Sequence, residues 1–390
     1  MKNNLYNLFS KDLIKKSENK IFVERKKRTL ALNESFISAI SLFNDFEKER
    51  IIKASIEKYP TDEFVNPFVD NLKNYCGLSS EDQILIGNGI DELLYFLFIS
   101  INDRNTKCVV NVPAYPDYKN YGQSCGINFI ELPLIEKEIT KKLENNLIDN
   151  SLESGFEFVL NIEKLIKTRN KKDIKAIIFT NPNNPTGTIF SLSDIIYVTE
   201  RLPEKLIIID EAYIEFCLDK TLVSLINEFD NLIILRTFSK GFLSPGLRLG
   251  YLVSNENIIK QLKKVFPVFP VSQISIEIGK ILLEKREQIQ KIREIIIGNR
   301  NKIYTKLKEF MEKDLIEKVY KSDTNFVLFK FNNPKIMIDF YNYLLENEIS
   351  IRNVSSRYIQ NSLRVTASDD EQTDYFLKYM ENFFDKNNIF

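Results

Sequence analysis

The residues best suited to covalent chemistry lie in one segment of the sequence, around Lys240. An apolar run typical of a strand, residues 232–235, leads to hydroxyls at Thr237 and Ser239 and then to the lysine. A second cation, Arg248, follows shortly afterwards. A lysine amine, two hydroxyls and an arginine suit a ligand with both a carbonyl group and a phosphate. Taken alone, this segment fits a strand followed by a basic turn equally well.

Two further strand-like segments also end in polar side chains. Residues 174–179 lead into a turn with two Asn-Pro steps that holds Asn184, and residues 206–209 end in Asp210 with Tyr213 close behind. Proline cannot continue a strand or a helix, so the chain must turn at the asparagine. Open α/β sheets bind ligands at the carboxyl ends of their strands, so we expect these side chains beside the lysine.

These residue types together match the requirements of pyridoxal phosphate (PLP). Its aldehyde needs a lysine amine for a Schiff base, a role open to Lys240. A carboxylate such as Asp210, facing the pyridine nitrogen, keeps that nitrogen protonated so that the ring withdraws electrons. Tyr213 and Asn184 suit the ring oxygen, where they would stabilise the phenolate. The groups suited to the phosphate are Thr237, Ser239, Arg248 and the backbone N–H groups near Gly89, Ile90 and Asp91.

Two of these features carry little weight by themselves. The Gly-rich turn at residues 87–89 precedes a predicted helix at 92–101 and offers N–H groups to an anion, but such turns are common in α/β proteins. The tyrosines at Tyr115, Tyr118 and Tyr121 would either stack on a flat ring or pack along a helix face. The sequence leaves both interpretations open.

The absence of histidine narrows the chemistry. The sequence has 390 residues and 0 histidines, which excludes a Ser-His-Asp triad, a histidine-bound metal and a histidine general base. Proton transfer near neutral pH must then use a lysine, a tyrosine, a cysteine or a carboxylate. Lys240 is the best placed of these, and no metal site is predicted.

Charge and cysteine usage indicate a cytoplasmic protein that acts on small molecules. Lys+Arg and Asp+Glu both number 54, so nothing indicates nucleic-acid binding. No signal peptide and no apolar run of membrane-spanning length is evident. The cysteines lack CxxC spacing and are predicted to be reduced thiols. They are Cys76, Cys108, Cys125 and Cys217.

The pattern of elements predicts an α/β fold with two domains. Strands alternate with helices up to a strand at 250–253, which we expect at the antiparallel edge of a mostly parallel sheet. A charged helical stretch at 272–313 then links to a smaller α+β domain. We predict an N-terminal arm with part of the small domain at 1–49, a large PLP-binding domain at 50–270, and the linker helix with the C-terminal small domain at 271–390.

Three other segments have a predicted structure. Residues 1–28 are polar and are predicted to form a helix with a flexible arm. Residues 37–56 have a helical pattern that stops before Tyr59-Pro60, as expected ahead of a proline. Residues 136–154 are polar and poorly periodic, which predicts an insertion or a long loop.

Several motifs resemble the signature series of the fold type I, class I/II aminotransferases. Within that superfamily the sequence is most similar to the histidinol-phosphate aminotransferase branch, which also contains threonine-phosphate decarboxylase. The resemblance covers roughly residues 30–385 and implies PLP as cofactor and a mostly parallel, seven-stranded sheet in the large domain. The shared superfamily motifs are Asn-Pro-Asn-Asn-Pro-Thr-Gly (181–187), Asp-Glu-Ala-Tyr (210–213), Ser-Lys (239–240), Gly-Leu-Arg-Leu-Gly-Tyr (246–251) and Leu-Arg-Val-Thr (363–366). The branch motifs are Asn33-Glu34, Tyr59-Pro60, Gly-Asn-Gly-Ile-Asp-Glu (87–92) and Pro-Ala-Tyr (113–115).

The resemblance implies a role for each cofactor-site residue. Lys240 would be the Schiff-base lysine and the proton shuttle, and Asp210 would face the pyridine nitrogen. Tyr115 would stack on the cofactor ring. Tyr59 would reach the cofactor phosphate of the partner subunit, which implies a homodimer with shared active sites. The remaining implied ligands are Asn184 and Tyr213 at the ring oxygen, and Thr237, Ser239 and Arg248 at the phosphate.

On the substrate side the resemblance is less complete. It implies that Arg364 binds the substrate carboxylate, that Arg352 binds a substrate phosphate, and that Asn33 also contacts substrate. Arg357 would either assist or be an exposed loop arginine. The usual Asn-Glu-Asn-Pro segment reads Asn-Glu-Ser-Phe at residues 33–36, and the N-terminal motifs typical of either branch enzyme are missing.

The resemblance therefore implies an aminotransferase. An amino group would pass from a donor such as glutamate, through PLP, to a small phosphorylated carbonyl acceptor. The alternative is a PLP-dependent decarboxylase of phosphoserine or phosphothreonine. The choice depends on which bond at the substrate Cα stands perpendicular to the ring, and the sequence does not show that. A regulatory protein on the same fold would need an appended DNA-binding module, for which the N-terminal arm is too short.

Overall fold

The computed structural model describes residues 24–54, 56–103, 105–139 and 155–386. The predicted N-terminal helix and most of the predicted arm fall outside these ranges. The strands are β1 (Arg28–Thr29), β2 (Ile84–Gly87), β3 (Lys107–Val112), β4 (Asn128–Pro133), β5 (Ile135–Ile139), β6 (Gly155–Val159), β7 (Ile174–Thr180), β8 (Leu206–Asp210), β9 (Leu232–Thr237), β10 (Gly250–Ser254), β11 (Lys318–Val319), β12 (Phe326–Lys330), β13 (Ile349–Ser350), β14 (Arg352–Asn353) and β15 (Ser362–Thr366). The helices are α1 (Asp45–Ile52), α2 (Asp62–Cys76), α3 (Ile90–Ile101), α4 (Asp117–Ser124), α5 (Ile162–Ile166), α6 (Leu192–Arg201), α7 (Glu256–Leu262), α8 (Gln273–Glu284), α9 (Arg286–Glu312), α10 (Pro334–Glu346) and α11 (Asp370–Lys386).

A 7-stranded sheet forms the larger part of the fold, in the order β2-β10-β9-β8-β7-β3-β4. All of its strands run in one direction except β10, which is antiparallel to both of its neighbours, β9 and β2. The mostly parallel sheet is therefore confirmed, but the prediction that β10 forms its edge was wrong. The strand turns back beside β9, and β2 then pairs on its other side and takes the edge.

Both faces of this sheet are buried, which explains its long apolar strands. Ile207 and Ile209 of β8 pack into one hydrophobic cluster, whereas Ile208 between them packs into another. Alternate side chains of a strand point to opposite faces, so helices must cover both. Leu93 of α3 lies in the cluster on the Ile208 side, and Ile195 of α6 lies in the cluster on the other side.

A smaller 4-stranded sheet follows in the order β11-β12-β15-β14, with antiparallel pairing throughout. Residues 28–29, near the start of the described chain, join the small part because β1 pairs in parallel with β13. The long helical stretch predicted at 272–313 is divided at Lys285. Its first half, α8, packs on α2, where the α-carbon of Gly279 has no room for a side chain beside Phe68.

Two other predicted elements differ from the structure. The helix predicted at 37–56 is reduced to α1, because the side chain of Asn44 caps the backbone of Glu47 and starts the helix there. The loop predicted at 136–154 begins instead as a strand, since β5 pairs antiparallel with β6. Residues 140–154 of that segment lie outside the described residues.

Among the described residues, none of the helices combines the length and the apolar composition needed to cross a bilayer.

Candidate active site

Asp210 is the last residue of β8 and is buried at the carboxyl edge of the large sheet. Its Oδ1 accepts a hydrogen bond from the backbone N–H of Ala212 at 2.9 Å, and its Oδ2 accepts one from the Tyr118 hydroxyl at 2.5 Å. Burial raises the pKa of this carboxyl to about 6, although both hydrogen bonds oppose the rise. The two hydrogen bonds therefore fix the orientation of the carboxylate, which in its charged form can pair with a cation.

Tyr213 follows on the same loop, and its hydroxyl is shared by two amides. The Asn33 side chain donates to it at 2.8 Å, and the Asn184 side chain donates at 3.5 Å. Burial raises the pKa of the phenol, while the Arg364 guanidinium and the Asn33 amide act in the opposite direction. A loop of the large sheet and a segment from the start of the described chain therefore meet at one oxygen.

Lys240 lies just beyond β9, half-buried, and its Nζ donates to the Leu32 carbonyl at 2.9 Å. Burial lowers the pKa of this amine to about 8, and the positive charges of Arg364 and Arg248 add to the effect. The Glu34 carboxylate partly opposes it. The amine therefore loses its proton much more readily than an ordinary lysine does, as a nucleophile or a proton carrier requires.

An anion-binding corner lies where β10 and α3 begin. Arg248 has φ 52, in the left-handed region, and its Nη2 lies 3.0 Å from Oδ2 of Asp91. A Cβ at Gly89, where φ is +84, would come within 2.7 Å of the same nitrogen. The glycine is therefore needed both for its backbone conformation and for the close approach of the arginine. The helix α3 begins at this corner, and a helix N-terminus favours an anion.

Thr237 and Ser239 complete this corner from the end of β9. The Thr237 hydroxyl donates to the Ser239 hydroxyl at 2.9 Å and accepts the Ser239 backbone N–H at 3.1 Å. Both side chains are buried. Tyr115 lies nearby with its ring edge-on to Tyr118, at 5.4 Å between ring centroids. Burial, with the Asp91 carboxylate, raises the pKa of its phenol.

Arg364 enters the site from β15 of the small sheet. Its Nη1 donates to Oδ1 of Asn184 at 2.5 Å and its Nη2 donates to the Ala31 carbonyl at 2.8 Å. Its Nε is buried and has no acceptor among the described residues. Burial lowers the pKa of this guanidinium to about 10, and Arg352 contributes because β14 pairs it directly opposite. Arg352 therefore lies beside Arg364 on the small sheet.

Comparisons with known proteins show the family of this chain. The family model described as "Aminotransferase class I and II" matches residues 32–380. The chain belongs to the class I and II aminotransferase family. A histidinol-phosphate aminotransferase of Clostridium kluyveri is 31% identical over 345 residues, which is 88% of this chain and 90% of that protein. One from Clostridium novyi is 32% identical over 90% of this chain and 89% of that protein.

Solved structures of histidinol-phosphate aminotransferases have the same fold. The Clostridium acetobutylicum enzyme superimposes with a TM-score of 0.75 at 24% identity, covering 92% of this chain and 99% of that one. The Sinorhizobium meliloti enzyme in complex with PLP gives 0.79 at 19% identity, covering 97% and 98%. The fold type I architecture predicted from the sequence is confirmed, and so are the aminotransferase activity and the PLP cofactor.

The residues of this aminotransferase fit that cofactor. The buried carboxyl of Asp210 would serve as a partner for the pyridine nitrogen, the Lys240 amine with its lowered pKa would react with the aldehyde, and Arg248 beside Gly89 would hold the phosphate. The structure also brings Asn33, Asn184 and Tyr213 to one point.

Two residues that the sequence analysis connected with an active site, Tyr59 and Arg357, lie outside the site described above. Tyr59 is exposed, and its ring stacks on Phe269 with 4.7 Å between centroids. Arg357 pairs with Glu131 on the large sheet. Its side chain is thus engaged by a carboxylate, whereas the sequence left it as either an assisting residue or a loop arginine.

Sequence reasoning missed three groups in the site of this aminotransferase. Tyr118 donates to Asp210, the Leu32 carbonyl accepts from Lys240, and the Glu34 carboxylate faces the same amine. The sequence predicts Tyr118 only as an aromatic residue that stacks on a ring or packs along a helix face. Its position one turn after Tyr115, at the start of α4, could have indicated that its hydroxyl reaches the site. A backbone carbonyl gives no signal in the residue types.

Proposed function

We propose that this aminotransferase moves the amino group of a donor such as glutamate, through PLP, to a small phosphorylated carbonyl acceptor. The observation that carries the proposal is the arrangement of charge around Lys240. The charges of Arg248 and Arg364 both act on the amine. Arg248 is paired with Asp91 at the start of α3, and Arg352 pairs opposite Arg364 on the small sheet. One cationic corner suits the cofactor phosphate, and the second suits the carboxylate or phosphate of a substrate.

We infer the roles of the large-sheet residues from this arrangement. When bound, PLP supplies an aldehyde for the substrate amine and a ring that stabilises negative charge at the substrate Cα. Lys240 holds the cofactor covalently and then carries the proton removed from that carbon. Asp210 stabilises the protonated ring nitrogen. The other roles are the ring oxygen for Asn184 and Tyr213, the ring face for Tyr115, and the phosphate for Thr237, Ser239, Arg248 and the N–H groups of Gly89, Ile90 and Asp91.

The substrate roles fall to residues of the small sheet and the N-terminal segment. Arg364 binds the substrate carboxylate, and its buried Nε without an acceptor supports that role. Arg352, directly opposite on β14, binds a substrate phosphate. Asn33 lines the same space through its bond to the Tyr213 hydroxyl. Because the relatives are histidinol-phosphate aminotransferases, histidinol phosphate is the first phosphorylated amine to test.

We propose that the enzyme is a homodimer whose active sites are shared. Tyr59, Phe269 and Val268 form an exposed apolar patch, with 73%, 48% and 82% of their surfaces accessible. An apolar patch of this kind is typical of a contact surface. Placed at the interface, Tyr59 reaches the cofactor phosphate in the partner subunit. Free thiols at all four cysteines support a cytoplasmic location.

Spectroscopy of the purified holoenzyme tests the reaction. Adding glutamate should convert the bound cofactor to its amine form and release 2-oxoglutarate. Histidinol phosphate should also convert the cofactor to its amine form, leaving as its own carbonyl product, and should do so more efficiently than unphosphorylated histidinol. Release of CO2 from phosphoserine or phosphothreonine, without any carbonyl acceptor, would contradict the proposal and favour a decarboxylase.

A single substitution tests the homodimer. Val268→Glu places a charge in the exposed patch and should shift the enzyme from dimer to monomer in light-scattering measurements. Ile338→Glu is a matched control, because Ile338 is an exposed isoleucine on α10 of the small part. Wild-type protein that is monomeric at micromolar concentration would refute the homodimer.

A further inference from the structure

The two arginines proposed to bind substrate lie on a single β-hairpin. Strands β14 and β15 pair so that Arg352 and Arg364 are directly opposite, and residues 354–361 connect them. The connection is bonded within itself: Val354 N–H donates to the Ser362 carbonyl at 3.1 Å, and Ser356 N–H donates to the Ile359 carbonyl at 2.6 Å. This arginine hairpin, residues 352–364, is built into the small sheet, because β15 also pairs with β12.

The tip of the arginine hairpin is attached to the large sheet at one carboxylate. Glu131 of β4 accepts a hydrogen bond from the Tyr358 hydroxyl at 2.6 Å and an ion pair from Arg357, both at the same oxygen. Its other oxygen pairs with Lys119 of α4. Only 14% of the Glu131 side chain is accessible, whereas 71% of the Arg357 side chain is. The carboxylate is thus the shielded centre of three donors.

We propose that Glu131 is a positioning residue, which docks the arginine hairpin on the large sheet and so sets the distance between the substrate arginines and Lys240. The inference rests on the proposed function of those arginines. The base of the hairpin has its own contact with the large sheet, where Arg364 donates to Asn184. Because β15 is fixed to β12, docking at both base and tip holds this edge of the small sheet against the large sheet.

The chemistry of the cluster makes Glu131 the controlling group. Charge-assisted bonds to a shielded carboxylate are stronger than neutral ones. Burial lowers the pKa of the Lys119 amine, and the charge of Arg357 lowers it further, so the two cations already repel each other. Removal of the Glu131 charge would leave that repulsion without a counter-charge. The tip should then lift away from β4. Lys119 is fixed to the large part through α4 and β15 is fixed to β12, so the tip and the edge strand β14 are the elements that move.

Undocking should weaken substrate binding more than the chemical step. When only a fraction of the enzyme is competent to bind, the apparent dissociation constant rises by the inverse of that fraction. Substrate that does bind contacts the arginines and restores the docked arrangement. KM for the amino donor should therefore rise while kcat changes little.

The test compares Glu131→Gln with Glu136→Gln in the PLP-loaded enzyme. Glu136 of β5 also bridges to the small sheet, through Lys318 at 2.7 Å and Tyr320 at 2.5 Å. Those contacts lie at β11, the edge opposite the arginine hairpin. The variants thus remove the same chemical group from two contacts to the small sheet, of which only one involves the hairpin tip.

Two readouts are expected to change only in Glu131→Gln. Trypsin cleavage of the native enzyme at the Arg357–Tyr358 bond, followed by mass spectrometry, should become at least about tenfold faster as the tip becomes mobile. KM for the donor should rise at least about fivefold with kcat within about twofold, as for a competent fraction of roughly one fifth. Glu136→Gln should match the wild type in both.

Equal effects of the two substitutions, or unchanged cleavage in Glu131→Gln, would overturn the proposal. The cleavage assay needs no substrate turnover, so it tests the docking even if the assigned reaction is wrong. If Glu131→Gln fails to fold, the exposed Arg357→Ala variant replaces it and should show the same rise in KM. In soluble variants, combining both changes should raise KM no further than either alone, because they break one interaction.

Discussion

The hydroxyl of Tyr118 donates to Oδ2 of Asp210 at 2.5 Å, at the point where β8 ends. Burial alone favours the neutral carboxyl, and this hydrogen bond favours the charged one. The hydroxyl also lies 2.8 Å from Oγ1 of Thr180 on the neighbouring strand, so its orientation is fixed. Tyr118 therefore favours the charged form of Asp210, which the role proposed for that residue at the cofactor ring requires.

The first prediction concerns this bond. Tyr118→Phe should raise the pKa of Asp210 above its value of about 6, because a bond to the charged form is lost while burial remains. The apoenzyme's affinity for PLP should fall as pH decreases through that pKa, so the fall should begin at a higher pH in the variant. Absorbance titration of the apoenzyme at several pH values measures this.

Asp210→Asn provides the comparison for that experiment. The substitution should abolish the fall in PLP affinity as the pH decreases through about 6. It should also lower kcat about 10²- to 10³-fold, the size typical of losing one preorganised electrostatic group. Identical pH profiles for Tyr118→Phe and the wild type would show that the hydrogen bond does not control the charge of Asp210.

The second prediction concerns the Lys240 amine. Its pKa of about 8 lies below the ordinary value of 10.5, so the neutral nucleophile should be fully formed above about pH 9. The rate at which the apoenzyme captures PLP should rise with pH and level off there, instead of rising to pH 11. Stopped-flow absorbance measures the rate. Arg364 is the largest cause of the lowered pKa after burial, so Arg364→Gln should move the plateau to higher pH. Replacing the exposed Arg201 at the end of α6 by Gln should not.

The third prediction concerns the phosphate corner. Gly89→Ala should lower the affinity for PLP, because the new methyl group would lie within 2.7 Å of the Arg248 guanidinium at a backbone φ of +84. Arg248→Gln should lower it about 10- to 150-fold, the range expected for hydrogen bonds to a charged group. Equilibrium dialysis of the apoenzyme gives both values. Gly246→Ala has open space around it and is the control; an equal loss there would point to a general effect of the extra methyl group.

Strand ends were the most predictable part of this enzyme. The apolar runs before Asn184, Asp210 and Lys240 are buried on both faces, so their patterns alone placed the three side chains at one edge. Strand order was harder. The apolar pattern of β10 fits an edge strand and an inner strand equally well. Its interior position depends on its pairing with β2, whose residues are far away in the chain.

Contacts between the large and small sheets could not be predicted. Glu131 and Arg357 are more than two hundred residues apart in the chain, and neither stands in a motif. The bond from Lys240 to Leu32 involves a carbonyl, which every residue possesses. The individual site roles and the domain boundaries after residues 49 and 270 stay predictions.

The last prediction uses two exposed glycines to separate helix propensity from backbone strain. A Cβ would meet nothing within 4 Å at either Gly298 or Gly77. Gly298 lies in the middle of α9, so Gly298→Ala should stabilise the enzyme by about 1 kcal/mol. Gly77 ends α2 in the left-handed region at φ 66, so Gly77→Ala should destabilise it by roughly 1–2 kcal/mol. Thermal unfolding midpoints of the two holoenzyme variants should move in opposite directions. Midpoints that move together would mean that the end of α2 does not hold the left-handed conformation that separates the two sites.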